Sequence, residues 1–306
     1  MPLKIAISGA SGLVGSVAVR YFESLGHTIV RITRGGSTSA GGESAVVMDV
    51  KNNGMDSKGL DGIDVVIHLA GANIAGKRWT DDYKSQILLS RVETTRILAN
   101  ALPKLAHPPK IFLCASAIGY YGNTDPDSGI TFEEPSPLGK GFLADVCHQW
   151  EAATQPAKEH GIRVVNMRIG AVLSREGGAL QKMWIPFQLG LGGPLGHGRQ
   201  MFSWVALDEI PRIMEFLINN DSIMGPVNVT APHPVTNAEF TKAFGKAIKR
   251  PTIFPVPAFG ARVLFGEMAD ALLLEGSTVI PKKLLEAGYK FHYPEIDAGL
   301  AASLKS

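Results

Sequence analysis

The chain has 306 residues, with 30 lysines and arginines against 28 acidic residues and a hydrophobic content of 45%. A net charge of +2 gives no electrostatic case for nucleic acid or an anionic membrane, and 19% charged residues indicate a chain with a core, not a disordered one. Cys114 and Cys147 cannot make a disulfide framework and stand at no metal-ligand spacing, and no apolar run approaches the roughly 18 residues of a bilayer span.

Short β-rich apolar runs alternate with helical patterns through the first half. Strands are predicted over residues 4–8, 28–33, 45–49, 64–69, 110–115 and 163–168, with helices over 12–25, 81–102 and 138–159. The runs IAIS, VVIHLA and IFLCAS are apolar on both faces, as parallel strands covered by helices on each side must be. Asp81 and Asp82 put negative charge where the dipole at a helix start favours it. Repeated βα units at this spacing predict an α/β fold with a doubly wound parallel sheet. After residue 173 the texture turns glycine-rich, over 174–204, and then to short elements punctuated by proline. Residues 1–173 are assigned to a Rossmann nucleotide-binding domain. Residues 174–306 are assigned mainly to a smaller C-terminal lobe, with crossings back to the main domain. The glycines near the start are not spaced as in a signal peptide, and the expected home is a reducing cytoplasm.

Gly9-Ala10-Ser11-Gly12-Leu13-Val14-Gly15 follows the first strand and opens the first helix. In that context the first glycine permits a tight turn, the second lets backbone approach a pyrophosphate, and the third lets helix and sheet pack closely. The backbone of Ser11, Leu13 and Val14 then lies at the helix N-terminus, where amide donors and the dipole favour an anion. At the end of the second strand, NAD binding calls for an acidic residue to accept from the ribose 2′-hydroxyl. The chain has Thr33-Arg34 there, and a guanidinium matches a 2′-phosphate in charge and fork geometry. The expected cofactor is NADP.

The G-x-x-G-x-x-G spacing resembles the extended short-chain dehydrogenase/reductase superfamily. By that resemblance Asp49-Val50 contacts adenine, and Leu69-Ala70-Gly71 lies against the cofactor ribose. Arg91 stands where the family usually has asparagine on the helix lining the cofactor, and Gln86 is placed to reach the same groove or to remain solvated. Ala115-Ser116-Ala117-Ile118-Gly119-Tyr120-Tyr121-Gly122 resembles the family's Ser-Ala/Ser-x-x-Tyr-Gly run, which makes Ser116 the hydroxyl that orients substrate. Gly170 and Val172 fall in a stretch similar to the family's run beside the nicotinamide.

The superfamily's chemistry also needs a Tyr-x-x-x-Lys pair on the next helix, where lysine lowers the tyrosine pKa for proton exchange. If Glu151 matches the glutamate one turn beyond that lysine, Leu143 and Cys147 occupy the two positions, and neither can do the work. Tyr120 and Tyr121 carry a suitable group, with packing as their other reading. Lys140 is a weaker substitute, and Cys147 and His148 read as structural. The missing pair, with Arg78-Trp79, Leu189-Gly190-Leu191-Gly192-Gly193-Pro194 and the run from Pro281 to Tyr289, resembles the sugar-nucleotide-epimerase-like subgroup of the epimerase/dehydratase family, sometimes labelled cell-division inhibitors.

On the substrate side, His197 and Arg199 are candidate ligand contacts, Asp208 is a candidate helix cap, and Lys282-Lys283 reads as a solvated basic pair. Two functions fit. One is an NADP-dependent oxidoreductase or epimerase-like enzyme acting on a small carbonyl, hydroxyl or sugar-nucleotide-like substrate. The other is a non-catalytic NADP-binding sensor or regulator. A homodimer through the helices after the fourth and fifth strands is permitted by the apolar stretch 87–102, as is plain core packing.

Overall fold

The structure is a computed structural model describing residues 1–34, 45–50, 52, 54–55 and 57–304. Its first βαβ unit is β1 (Lys4–Ser8), α1 (Leu13–Ser24) and β2 (Thr28–Arg34). β3 (Ala45–Asp49) follows, and a two-residue β4 (Gly54–Met55) folds back antiparallel against it. β5 (Val65–His68), α2 (Asp81–Ala101) and β6 (Ile111–Ala117) begin the second half. Beyond a short β7 (Thr131–Phe132), α3 (Phe142–Ala152) and α4 (Gln155–Glu159) carry the chain across to β8 (Arg163–Ile169). The single helix predicted over 138–159 is therefore two. Pro156 has no N–H to give and sits in the first turn of α4, where none is needed.

Gly170 separates β8 from β9 (Ala171–Leu173), which leads into α5 (Gly178–Gln188), β10 (Met201–Phe202) and β11 (Trp204–Ala206). α6 (Glu209–Ile218) then brings the chain back to β12 (Gly225–Val229). The remainder is β13 (Val235–Thr236), α7 (Asn237–Ile248), α8 (Ala258–Phe265), α9 (Glu267–Ala269), β14 (Thr278–Val279), α10 (Lys282–Glu286) and α11 (Ile296–Ser303).

The main sheet runs β12-β8-β6-β5-β1-β2-β3-β4, parallel throughout except for β4. β12, supplied from beyond residue 174, pairs with β8 from Gly225↔Val165 to Val229↔Ile169. Successive side chains on each strand enter opposite layers. Ile5, Ile7, Ile67, Leu113 and Val165 pack against α1 and α6. Ala6, Val66, Phe112 and Val164 pack against Leu98 of α2, Trp150 of α3 and Ala157 of α4. Each fully buried aliphatic or phenyl side chain in these layers contributes about 1.5–3 kcal/mol. A separate cluster joins Leu180 and Phe187 of α5 to Trp204, Phe240, Phe244 and Leu300.

Of the apolar residues of α2, Ile87, Leu98 and Ala99 are fully buried in the chain's own core, while Leu89 is exposed. No described helix is long and apolar enough to cross a membrane. The strand order reverses between β1 and β5, and the crevice outside their C-terminal ends is where such sheets take ligands.

Candidate functional site

The turn after β1 is held open by the absence of side chains. Gly9 has φ +70°, and a Cβ there would come within 2.8 Å of the Leu69 carbonyl carbon and 2.9 Å of the Ala70 nitrogen. A Cβ on Gly15 would lie 2.1 Å from the Gly9 carbonyl oxygen, so α1 enters the sheet as closely as backbone can. Gly12 caps α1 with no side-chain hydrogen bond, and the first turn holds no acidic residue. The first amides of the helix, including those of Leu13 and Val14, thus have a positive dipole end and no competing carboxylate. Ser11 and Gly12 are exposed along this edge.

Thr33 and Arg34 end β2 as the sequence implies, and Arg34 is exposed. Arg34 takes part in no ion pair that involves a described residue. The Thr33 hydroxyl is buried and has no hydrogen-bond partner among the described residues. Asp49 closes β3 with its carboxylate accepting from the Asn52 amide at 2.6 Å, and Val50 follows it, half-buried.

Leu69, Ala70 and Gly71 leave β5 directly against the glycine turn. α2 fastens the loop that follows. The Ser90 hydroxyl accepts from the Ala72 amide at 2.9 Å, the Tyr83 hydroxyl donates to the Asn73 carbonyl at 2.5 Å, and Arg91 donates to the Ala72 and Ile87 carbonyls at 3.0 and 2.9 Å. The Arg91 guanidinium stacks on the Trp150 ring, 5.1 Å from its centroid. A Cβ on Gly71 would lie only 3.1 Å from the guanidinium carbon. Arg91 is thus built into the groove, whereas Gln86 is exposed one turn away and nothing among the described residues ties it there.

Below the crevice, His68 is fully buried and its pKa is pushed down to about 3 by burial. Thr94 gives its hydroxyl proton to the Ser90 carbonyl, so it accepts from His68 Nε2 at 3.2 Å, and His68 Nδ1 accepts from Ser8 Oγ at 2.5 Å. This neutral triple contact joins β1, β5 and α2. No sequence spacing signals it.

At the end of β6, Ala115 and Ser116 are buried. The Ser116 hydroxyl donates to Glu151 at 2.7 Å. Glu151 forms a two-point ion pair with Arg168, with both contacts at 2.8 Å. Arg168 also donates to the Tyr121 hydroxyl at 2.9 Å, and Tyr121 donates onward to Asn228 at 2.7 Å. Burial raises the pKa of Tyr121, with the Arg168 charge opposing it. Burial alone would lower that of Arg168, but Glu151 outweighs it and raises it. The hydroxyls of Ser116 and Tyr121 thus take part in a brace linking β6, α3, β8 and β12.

Tyr120 differs. It is half-buried, and its ring lies under the Arg168 guanidinium at 3.4 Å from the centroid. Gly119 packs on α3, where a Cβ would be 3.3 Å from that of Leu143 and 3.8 Å from the Cys147 sulfur. Cys147 is buried, and desolvation first, then the Glu151 charge, push its thiol up to about 11. It is a neutral packing group, and Lys140 lies exposed outside the helix.

Gly170 lets the chain pass close to β11, since a Cβ would meet the Ser203 carbonyl oxygen at 2.8 Å; Val172 pairs with Val205. Arg199 is paired on the surface with Asp127 at 2.7 Å, and His197 accepts from the Arg199 amide. Asp208 precedes α6 without a side-chain capping bond. Lys282 pairs with Glu133 at 2.6 Å. The lobe reaches the α2 loop where Lys182 of α5 donates to the Ala75 carbonyl at 2.5 Å and Glu267 of α9 pairs with Lys84.

Residues 5–229 match the NAD dependent epimerase/dehydratase family, and residues 256–303 match a domain of unknown function, DUF1731. The epimerase family protein Mb2239 of Mycobacterium bovis is 40% identical over 296 residues, covering 97% of this chain and 96% of its own. A crystal structure of the human epimerase family protein SDR39U1 (isoform 2) with NADPH superposes with a TM-score of 0.89 at 31% identity, covering 99% of this chain and all of that one. UDP-N-acetylglucosamine 4-epimerase from Bacillus cereus shares the fold, with a TM-score of 0.76 at 17% identity over 98% of each chain. The chain belongs to the NAD dependent epimerase/dehydratase family, within the extended short-chain dehydrogenase/reductase type.

Proposed function

We propose that this chain binds NADP(H) across the β1–β5 crevice and acts as an oxidoreductase on a small carbonyl or hydroxyl compound. The substrate would lie between the strand ends and the lobe from residue 174 onward. The glycine turn carries this reading. The space beside Gly9, which a Cβ would fill, and the uncapped start of α1 fit a diphosphate, and Arg34 at the end of β2 fits a 2′-phosphate. The human relative crystallised with NADPH supports the same assignment. Asp49 and Val50 would flank the adenine; Leu69, Ala70, Gly71, Arg91, Ala115, Gly170 and Val172 would line the rest. Two buried free cysteines suit a reducing compartment such as the cytoplasm.

When bound, the dinucleotide supplies or accepts a hydride. The brace of Ser116, Glu151, Arg168 and Tyr121 fixes the frame of the site, and Tyr120 is the phenol left to hold a proton at the substrate oxygen. Arg34→Ala should weaken NADPH binding about 10- to 100-fold, the worth of a charge-assisted contact, and leave NADH binding unchanged in a fluorescence titration. Equal losses for both would remove Arg34 from the 2′-phosphate site. In a carbonyl panel followed by NADPH oxidation, Tyr120→Phe should lower kcat about a hundredfold without changing NADPH affinity.

The second reading, a non-catalytic NADP(H) sensor or regulator, is favoured by the committed hydroxyls of Ser116 and Tyr121 and by Leu143 and Cys147 on α3. Tight NADPH binding without turnover of any carbonyl or hydroxyl compound would establish it.

A further inference from the structure

The Arg91 guanidinium is mostly buried, and desolvation is the main influence lowering its pKa. Among the described residues its hydrogen-bond acceptors are two neutral carbonyls, those of Ile87 and Ala72, and its face rests on Trp150. It is paired with no described carboxylate. A buried cation is normally matched by an anion, because its lost hydration is otherwise uncompensated. The half-buried carboxylate of Glu151 on α3 is already neutralised by Arg168 through two contacts of 2.8 Å. Among the described residues the charge on Arg91 therefore has no anionic partner.

Its place in the fold gives that charge a direction. Gly9 abuts Leu69 and Ala70, and the next residue, Gly71, abuts the guanidinium. Its face rests on Trp150 of α3, the helix that carries Cys147 where the family pattern has lysine. Arg91 thus lies on the line from the diphosphate cradle toward the β6 end of the crevice. In a doubly wound sheet this half, beyond the strand reversal, holds the second mononucleotide.

We infer that Arg91 supplies from α2 the fixed positive charge that α3 lacks, and that it biases the site toward the reduced, uncharged nicotinamide over the oxidised cationic ring. The inference rests on the dinucleotide binding proposed above. Like charges facing one another in a partly buried crevice repel, and the expected preference is at least about tenfold. In this role Arg91 is a specificity-determining residue, and its bonds to the Ala72 loop hold it in place.

The test is to measure Kd by calorimetry for NADPH, NADP+ and adenosine 2′,5′-bisphosphate, which lacks the nicotinamide half. Wild type should bind NADPH at least about tenfold tighter than NADP+. Arg91→Met should bring that ratio close to one and leave the bisphosphate unaffected, while Arg91→Lys should keep it. Arg91→Gln replaces the methionine variant if the latter does not fold. A wild-type ratio near one overturns the inference, whichever variants fold. So does a neutral variant that keeps the ratio, or one that weakens all three ligands alike, which would make Arg91 only a brace. If the wild type binds neither dinucleotide nor the bisphosphate, the proposed function itself fails.

Discussion

Gly15→Ala is expected to abolish dinucleotide binding and to lower stability by about 2–3 kcal/mol, the upper range for overpacking a close contact. An alanine in a helix interior is ordinarily worth up to about 1 kcal/mol over glycine, so the sign here is set by geometry alone. The new Cβ would sit 2.1 Å from the Gly9 carbonyl oxygen and 2.8 Å from its carbonyl carbon. Those are backbone atoms of a turn that itself lies against Leu69 and Ala70, so no side chain can swing aside. Relief requires α1 to lift from the turn, which moves its first amides away from the crevice. NADPH titration and thermal unfolding of the variant measure both effects. Gly260→Ala in α8 is the control, because a Cβ there meets nothing within 4 Å and should leave stability unchanged or slightly higher. A Gly15→Ala protein that binds NADPH with wild-type affinity would show that the close approach of α1 is dispensable.

That turn was the most legible feature of the chain, and the reason is physical. Glycine is the one residue type whose presence reports how near another backbone comes, so three glycines after a strand encode the cradle directly. The apolar runs of β1, β5 and β6 were equally readable, because strands covered on both faces cannot alternate polar and apolar residues. β12 was not. Its residues, Gly225–Val229, include a glycine, a proline and an asparagine in five positions, and only pairing with β8 makes them a strand. The split of 138–159 into α3 and α4 could have been read from Pro156.

The site was legible where backbone makes it and opaque where side chains do. Once Glu151 set the register of the family resemblance, the residue types of Leu143 and Cys147 announced the missing acid–base pair. Whether the Ser116 and Tyr121 hydroxyls were free depended on Glu151, Arg168 and Asn228, residues 35, 47 and 107 positions away from their partners. Sequence spacing holds no information about such distant hydrogen bonds. Arg91 was visible as a departure from asparagine, but its lack of an anion belongs to the packed structure. A burial pattern read along α2 would have placed it on the inward face with Ile87 and Tyr83, one and two turns before it.

Acid should destabilise the wild-type protein through His68, and His68→Gln should remove that sensitivity. The folded pKa lies near 3 because the ring is fully buried, against an ordinary value of 6.5. As pH falls below 6.5 the unfolded chain binds this proton and the folded chain does not, so the stabilisation is complete above that pH and is lost toward pH 3. The loss approaches about 1.4 kcal/mol per pH unit across the window, or about 4–5 kcal/mol in all. Protonation would also put a second donor at Nδ1, so that Ser8 Oγ could no longer donate to it, and the link between β1 and β5 beneath the crevice would have to rearrange. Glutamine stays neutral and offers one acceptor and one donor, so it keeps the polarity of the contact with some loss at neutral pH from its different shape. Urea unfolding at intervals from pH 7 to pH 4 isolates the effect, since carboxylates elsewhere titrate alike in both proteins and cancel in the difference. The two stability curves should converge as pH falls. Parallel curves would mean that His68 takes up its proton over the same pH range in the folded and unfolded protein, contrary to its burial between Ser8 and Thr94.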